Sequence, residues 1–315
     1  MIMEPLFEVM DELQLQSFSL AQQSALTNRL YTVIEGANPP EGYQSTGALI
    51  YTLENTPSAH PLFLDDELIK VSPWLVEVDP ISPLFNWLIS NANDYPFVLF
   101  WSNHTLEQVK PFMVNLLKAR SPEGDSLFFR YYDPAVFNAF IEHSQDDVIK
   151  NRLGGASAIA TYSSYDSNPN RSYWRVRELK NIEINVKSAS AVEPPEISFN
   201  QQEWQALCDY KRDTSLKNMG IYLKQNYPDH LKDIDSIELQ QFVSRCITQG
   251  EELGFFTQNE LEQWLDLSLF FGECFVDNHN YSWIQKIVSN TELSTTSKLQ
   301  QLNQYLDFYQ ARSAI

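Results

Sequence analysis

Cysteine, glycine and basic side chains are all scarce in this chain of 315 residues. The three cysteines, Cys208, Cys246 and Cys274, are odd in number, far apart and confined to the second half. That pattern argues against a disulfide framework and fits reduced core thiols in a reducing compartment. Ten glycines leave little material for phosphate-cradling loops. The sequences G-x-G-x-x-G, G-x-x-x-x-G-K-[ST] and G-x-S-x-G do not occur. The five histidines (His60, His104, His143, His230, His279) form no H-x-x-x-H pair, and there is no C-x-x-C. Neither a zinc centre nor any other metal or cofactor site is expected. Lysine and arginine number 22 against 41 acidic residues, a net charge of −19. That sign repels phosphate backbones and anionic lipid, so nucleic acid and membrane surfaces are unexpected partners. No apolar run approaches the roughly 18 residues of a membrane span. The opening Met1-Ile-Met-Glu-Pro5 lacks the basic and apolar regions of a signal peptide, so a cytoplasmic location is expected.

What the chain does have is apolar and aromatic material. Hydrophobic residues make up 43% and aromatics 13%, enough for a real core with Tyr and Trp left over for interfaces. Two textures divide it. Residues 1–187 alternate short apolar runs with helical patterns, and residues 198–315 read as helices only. Between them, 188–197 contains Pro194-Pro195, which continues neither a helix nor a central strand, and reads as a linker. Acidity is shared: residues 1–165 hold 8 basic and 20 acidic side chains, and residues 166–315 hold 14 and 21.

In the first part, Leu30–Ile34, Phe97–Trp101 and Ser126–Tyr132 read as strands buried on both faces, with Trp74–Val78 a weaker fourth. Tyr173–Val176 and Ile182–Val186 read as an antiparallel edge pair. Thr105-Leu-Glu-Gln108 is a capping box opening a helix that contains Pro111. Asp133-Pro134 places a capping carboxylate before a proline at the first helical position. Asp146-Asp147 opens another helix, and Gly154-Gly155 stops it. The expected architecture is an α/β lobe, a mixed sheet with flanking helices, followed by an all-α helical lobe. In that second lobe, Asp235 and Thr257-Gln-Asn-Glu260 start helices. The one after Thr257 is apolar nearly all round, which marks the buried centre of a bundle. Trp204, Leu207, Leu216, Met219 and Leu223 belong to one broken or two consecutive helices.

No catalytic constellation stands out. Asp65-Asp-Glu67 reads as a solvated turn. Cys274 lies near Asp277 and His279, but in a helix too apolar to favour a thiolate. The segment Ser121–Pro134 is more informative. Arg130 sits at the end of an otherwise apolar strand and must reach a carboxylate, a carbonyl or solvent. Asp133 is near enough in sequence to be its partner. The pair with Tyr131 and Tyr132 between them reads either as an internal brace or as part of a binding surface.

Four stretches carry a resemblance: Leu30-Tyr-Thr-Val-Ile-Glu-Gly-Ala37, Pro73-Trp-Leu-Val76, Phe97-Val-Leu-Phe-Trp-Ser102 and Phe129-Arg-Tyr-Tyr-Asp-Pro134. In this order and spacing the chain resembles the adaptor, or effector-chaperone, family of the bacterial type VI secretion system. The likeness covers roughly residues 30–160. The chain departs from it at Pro111-Phe-Met113, where the family more often has a His-Leu-Arg-like run. The resemblance implies a non-enzymatic cytoplasmic adaptor that binds a toxic effector and helps load it on the VgrG spike or a tip protein. Two other readings compete. One is a hydrolase whose carboxylates, for instance Glu35, Asp133 and Glu142, meet only in the fold. The other is an immunity-type inhibitor of a basic toxin, steered by the charge of −19.

Within the adaptor reading, the N-terminal lobe is the family's shared part and suits the shared spike partner, while the helical lobe suits the variable effector. Trp264, Phe270, Phe271, Trp283, Tyr305 and Tyr309 are more aromatics than the inner face of one small bundle can hold, so each reads either as core packing or as an anchor left at the rim. With Arg130, Tyr131, Tyr132 and Asp133 they are the candidate partner-binding residues.

Overall fold

The computed structural model describes residues 7–26, 28–54, 57–63, 65, 67–165, 168–180, 197–273 and 275–313. The chain divides into two compact units, Met1–Tyr210 and Lys211–Ile315. Most of the expected linker, 188–196, and the expected strand 182–186 lie outside the described residues, as does Cys274.

The first unit runs β1 (Glu8–Met10), α1 (Glu12–Leu26), β2 (Arg29–Ile34), α2 (Thr46–Leu53), β3 (Ala59–Pro61), β4 (Trp74–Val78), α3 (Pro83–Ser90) and β5 (Phe97–Ser102). It continues through α4 (Leu106–Leu116), β6 (Lys118–Arg120), β7 (Ser126–Phe128), α5 (Pro134–Ile141), α6 (Asp146–Arg152), β8 (Ala158–Tyr165), β9 (Asn168–Glu178) and β10 (Ile197–Ser198). Among the described residues, seven strands form one sheet in the order β1-β9-β8-β5-β2-β4-β3. Every neighbouring pair in it is antiparallel. The α/β class is as the sequence suggested, but this sheet is antiparallel rather than mixed. The parallel pairing is in a small second sheet, where β6 lies between β7 and β10 and runs parallel to β10.

Strand β2 is the axis of the large sheet, with Thr32 opposite Val76 of β4 on one side and Leu99 of β5 on the other. Strands β4 and β5 are therefore parallel to each other across β2 and are joined through α3, a split βαβ arrangement. The near-continuous apolar runs of β2 and β5 follow from cover on both faces. Leu30, Ile34, Leu99 and Trp101 face Leu15, Ile50, Phe85 and Leu88 of α1, α2 and α3. The alternate residues Tyr31, Val33, Val98 and Phe100 face Val109, Met113, Phe137, Phe140 and Ile149 of α4, α5 and α6.

Local signals hold where the chemistry is local. The Thr105 backbone N–H donates to Gln108 Oε1 at 2.9 Å, and α4 begins at Leu106 with Pro111 inside it. Past α6, the Gly155 N–H closes on the Lys150 carbonyl at 2.8 Å. The strand expected over 126–132 stops at Phe128. Strict alternation would send Phe129 and Tyr131 to one face and Arg130 and Tyr132 to the other. Instead the Tyr131 N–H folds back on the Phe129 carbonyl at 2.9 Å. That turn lets Phe129, Tyr131 and Tyr132 all be buried while Arg130 alone reaches solvent. Tyr173–Val176 pairs with β8 and β1.

Residues 197–210 complete the first unit. Ile197 and Phe199 are in its core, with Trp204 and Leu207 packed against it. Glu203 is wholly buried, where it accepts from Ser144 Oγ at 2.6 Å and from Arg152 Nη1 at 3.1 Å. A buried carboxylate persists only with such partners. Its other oxygen accepts the Asn200 N–H at 2.9 Å, which fixes the start of α7 (Gln201–Asn226), a single helix.

The second unit contains the rest of α7, α8 (Pro228–Leu231), α9 (Ser236–Glu252), α10 (Gln258–Phe271), α11 (Ser282–Val288) and α12 (Thr295–Ser313). Asp235 caps α9, accepting the Ile237 and Glu238 N–H groups at 2.8 Å each. The capping box at Thr257 is formed with Glu260. Helix α10 is central, with Leu261, Trp264, Leu265, Leu267 and Ser268 buried. Glycine at 250 makes room for it: a Cβ there would lie 2.9 Å from the Trp264 ring. Cys246 is in this core as expected, whereas Cys208 is exposed on α7.

Candidate protein-interaction site

The four stretches that carry the resemblance come together. Three are the adjacent strands β2, β4 and β5, and the fourth packs into the same core and is tied to the end of β2 by an ion pair. Glu35 follows the last residue of β2. Its N–H donates to the Pro96 carbonyl at 3.1 Å, and its carbonyl accepts from Thr46 Oγ1 at 2.8 Å. Its side chain is only 7% exposed, and Arg130 Nη2 donates to its Oε1 at 2.5 Å. The Arg130 side chain remains 48% exposed. Its guanidinium also lies 5.6 Å from the centre of the Tyr132 ring. Burial pushes the Tyr132 hydroxyl pKa up, and Arg130 opposes that rise.

A loop closes beside this pair. A Cβ at position 36 would fall 1.8 Å from the Ser72 carbonyl oxygen, so glycine is required for the 71–72 backbone to approach the end of β2. Buried Ser72 accepts the Phe63 N–H at 2.8 Å, and the Phe63 ring lies 5.7 Å from Phe128. Phe128, Leu68, Ile69 and Val71 are exposed. The result is an arginine held in place by a buried carboxylate, beside exposed aromatic and aliphatic side chains. Arg and aromatics are the side chains that dominate interface energetics, and a pre-oriented one loses less entropy on binding.

The expected Arg130–Asp133 pair is not formed. Asp133 Oδ1 accepts the Ala135 and Val136 N–H groups at 3.0 and 3.4 Å, capping α5. The partner of Arg130 is 95 residues away in sequence. The apolar run before Glu35 was legible, but no spacing linked the two. Tyr131 is wholly buried, its hydroxyl donating to the Met113 carbonyl at 3.0 Å, and Tyr132 is nearly so. Both serve the core.

In the second unit the candidate aromatics divide by depth. Trp264 is wholly buried, its ring 4.8 Å from Phe275 and 5.2 Å from Phe255. Phe271 is half-buried and touches Phe275, Tyr281 and Trp283. Half-buried Trp283 then stacks on exposed Tyr305 at 4.0 Å. A ladder of rings thus runs from the core to the surface, and Trp283 and Tyr305 are its outer rung. Phe270 packs on Tyr227 and His230. The side chain of Tyr309, in α12, lies outside the described residues.

The three carboxylates of the hydrolase reading are engaged separately: Glu35 with Arg130, Asp133 at the start of α5, and Glu142 with Arg175 at 2.5 Å. Among the described residues no group of three or more His, Cys, Asp or Glu side chains could hold a metal ion. An open groove of about 370 Å³ in the second unit is lined by Ser244, Thr248, Gln249, Glu252 and the Arg245–Glu273 ion pair.

A family model described as a domain of unknown function (DUF4123) matches residues 30–150. The match begins at β2 and ends within α6, so it includes Glu35, Gly36, the 62–73 loop and Arg130. No curated protein and no solved structure matches the chain. No helix among the described residues is long and apolar enough to cross a membrane.

Proposed function

We propose that this chain is a non-enzymatic cytoplasmic adaptor of type VI secretion, which binds a toxic effector and helps load it on the VgrG spike or a tip protein. The observation that carries this reading is a coincidence of position. The DUF4123 match, a family associated with type VI effector chaperones, and the four resembling stretches fall on the same residues. Those residues bring Arg130 to the surface on a buried carboxylate. The site is suited to binding a protein chain. Arg130 offers donors in a fixed fork to carboxylates or carbonyls, and the exposed Phe128, Leu68, Ile69 and Val71 offer apolar area.

The adaptor acts by holding, without bond-making. In this reading residues 30–160 supply most of the spike contact through the Arg130 site. Residues 198–315 supply most of the effector contact through Trp283 and Tyr305. Capture of the tagged chain from its native host, followed by mass spectrometry, tests the proposal. An effector and a VgrG or tip protein should be recovered together, and deletion should lower effector accumulation or export. Recovery of no type VI component, with export unchanged on deletion, would sink it. Protection of cells against a toxin already made would point to an inhibitor instead.

A further inference from the structure

The two faces of the large sheet differ in charge. Arg175 and Arg177 of β9 alternate with Trp174 and Val176, so both point to the face covered by α4, α5 and α6, where they pair with Glu142 and Asp146. Arg29 likewise alternates with Leu30 and pairs with Glu77 at 3.1 Å. The opposite face is covered by α1, α2 and α3. None of these helices contains a lysine, arginine or histidine. The sequence has no lysine or arginine before Arg29, between Arg29 and Lys70, or between Lys70 and Lys110. Acidic side chains do occur there: Asp11, Glu12, Asp79 and Asp94 are all exposed.

The same layer exposes apolar side chains. Leu13 is 75% exposed and Ile81 65%, with Leu20 and Tyr51 also exposed. Leu13, Leu20 and Ile81 form one group, whereas Tyr51 packs edge-on against Trp74, with ring centres 6.3 Å apart. Leu13 and Leu20 are two turns apart on α1, on the side from which Gln16 Nε2 donates to the Pro80 carbonyl at 3.1 Å. That bond places Ile81 beside them. Glu54 Oε1 accepts the Leu84 N–H at 3.2 Å and ties the end of α2 to the start of α3. Asp11 caps α1, accepting the Gln14 N–H at 2.8 Å, and Asp79 accepts the Ile81 N–H at 3.1 Å. Helix N-termini lower the energy of these carboxylates but supply only partial charge, so a negative field remains.

We propose that the outer surface of α1 and the start of α3, centred on Leu13, Leu20 and Ile81, docks a cationic amphipathic helix of a partner protein. Two exposed leucines two turns apart on α1, with Ile81 beside them, present an apolar strip along which the apolar stripe of a partner helix can lie. The carboxylates around them select Lys or Arg flanking those anchors. The charge that attracts such a helix repels an anionic lipid surface. This surface is separate from the Arg130 site and does not depend on the secretion reading.

The test uses the intact chain and a labelled Leu/Lys amphipathic helical peptide, followed by fluorescence anisotropy. Leu13→Ser with Ile81→Ser should weaken binding about tenfold, a change of about 1.4 kcal/mol. Both side chains are mostly exposed, so the variant keeps its melting curve. Ile237→Ser with Phe256→Ser, exposed apolar positions of the second unit, should leave binding unchanged. Added salt should weaken it, since exposed charges are screened beyond about 10 Å at 0.1 M. The proposal is overturned if the Leu/Lys peptide fails to bind, if the two double variants lose equally or not at all, or if a Leu/Glu peptide binds as well.

Discussion

Replacing Arg130 by alanine strands a carboxylate. Glu35 is 7% exposed and cannot turn to water, because its own N–H and carbonyl are tied to Pro96 and Thr46. Breaking a fully buried pair by removing one partner costs about 3–5 kcal/mol. Arg130 is itself half exposed, so water enters the space it leaves, and the expected loss falls to about 1–2 kcal/mol. Glu35→Gln keeps the shape and removes the charge, at about 1 kcal/mol, the difference between a charge-assisted and a neutral hydrogen bond. The double variant should lose less than the sum, with a coupling of about 1 kcal/mol. Asp133→Ala should also cost about 1 kcal/mol, through the α5 cap, but should add to Arg130→Ala within about 0.5 kcal/mol. Hydrogen exchange of the β2 and β5 amides isolates this unit from the second one, which need not unfold with it. Additive losses for Glu35 and Arg130, or coupling between Arg130 and Asp133, would refute the assignment of the pair. Capture of the spike partner by the folded Arg130→Ala protein at full strength would leave the pair as a brace and nothing more.

Two further outcomes follow from the second unit. Trp264→Ala should cost about 3–5 kcal/mol, because it empties the centre of the bundle. Trp283→Ala and Tyr305→Ala should each cost about 1 kcal/mol yet abolish effector capture. Urea titration with a pull-down separates these, and a Trp283 variant that captures effector normally removes the outer rung from the interface. The second outcome concerns pH. The Glu260 carboxyl pKa is lowered from the usual 4.5 to about 2, chiefly by the Thr295 hydroxyl and then by the Thr257 backbone N–H. A depressed carboxyl stabilises the fold when ionised. Its contribution is therefore present above pH 4.5 and lost as pH falls towards 2. The melting temperature of Glu260→Gln should vary less than wild type across that window, and parallel curves would count against it.

What was legible in the sequence was set by residues close together along it. The capping boxes at Thr105 and Thr257, the Asp133-Pro134 start of α5 and the Asp235 start of α9 each depend on contacts within one or two turns. Strands β2, β4 and β5 were legible because cover on both faces leaves near-continuous apolar runs. The sheet's pairing was not, since an antiparallel neighbour and a parallel one bury the same side chains. Ser126–Tyr132 misled for a related reason. A run of aromatics reads as a strand, whether the chain alternates or turns to bury consecutive rings. The Glu35–Arg130 pair joins residues whose only signals were a carboxylate after a strand and a cation where none is welcome. Arg130 announced that it needed a partner and Asp133 was nearest, but Asp133 was already committed to two backbone N–H groups.

Charge shows the limit most clearly. Counted along the sequence, both halves are acidic and neither stands out. Folding sorts the same residues by the period of the strand rather than by position. Along β9, successive side chains alternate between faces, so Arg175 and Arg177 reach Glu142 and Asp146 on the side covered by α4, α5 and α6. On the other side, three helices without one basic residue lie over the sheet. A net charge governs solubility and encounter, whereas the arrangement of charge selects partners. The first unit therefore offers two chemically opposed surfaces. At Arg130 a fixed guanidinium lies beside exposed aromatic and aliphatic groups and suits a carboxylate or carbonyl. Over α1 and the start of α3, exposed Leu13, Leu20 and Ile81 lie among carboxylates and suit a cationic helix. Opposite charge preferences within one unit keep these two surfaces from competing for the same ligand.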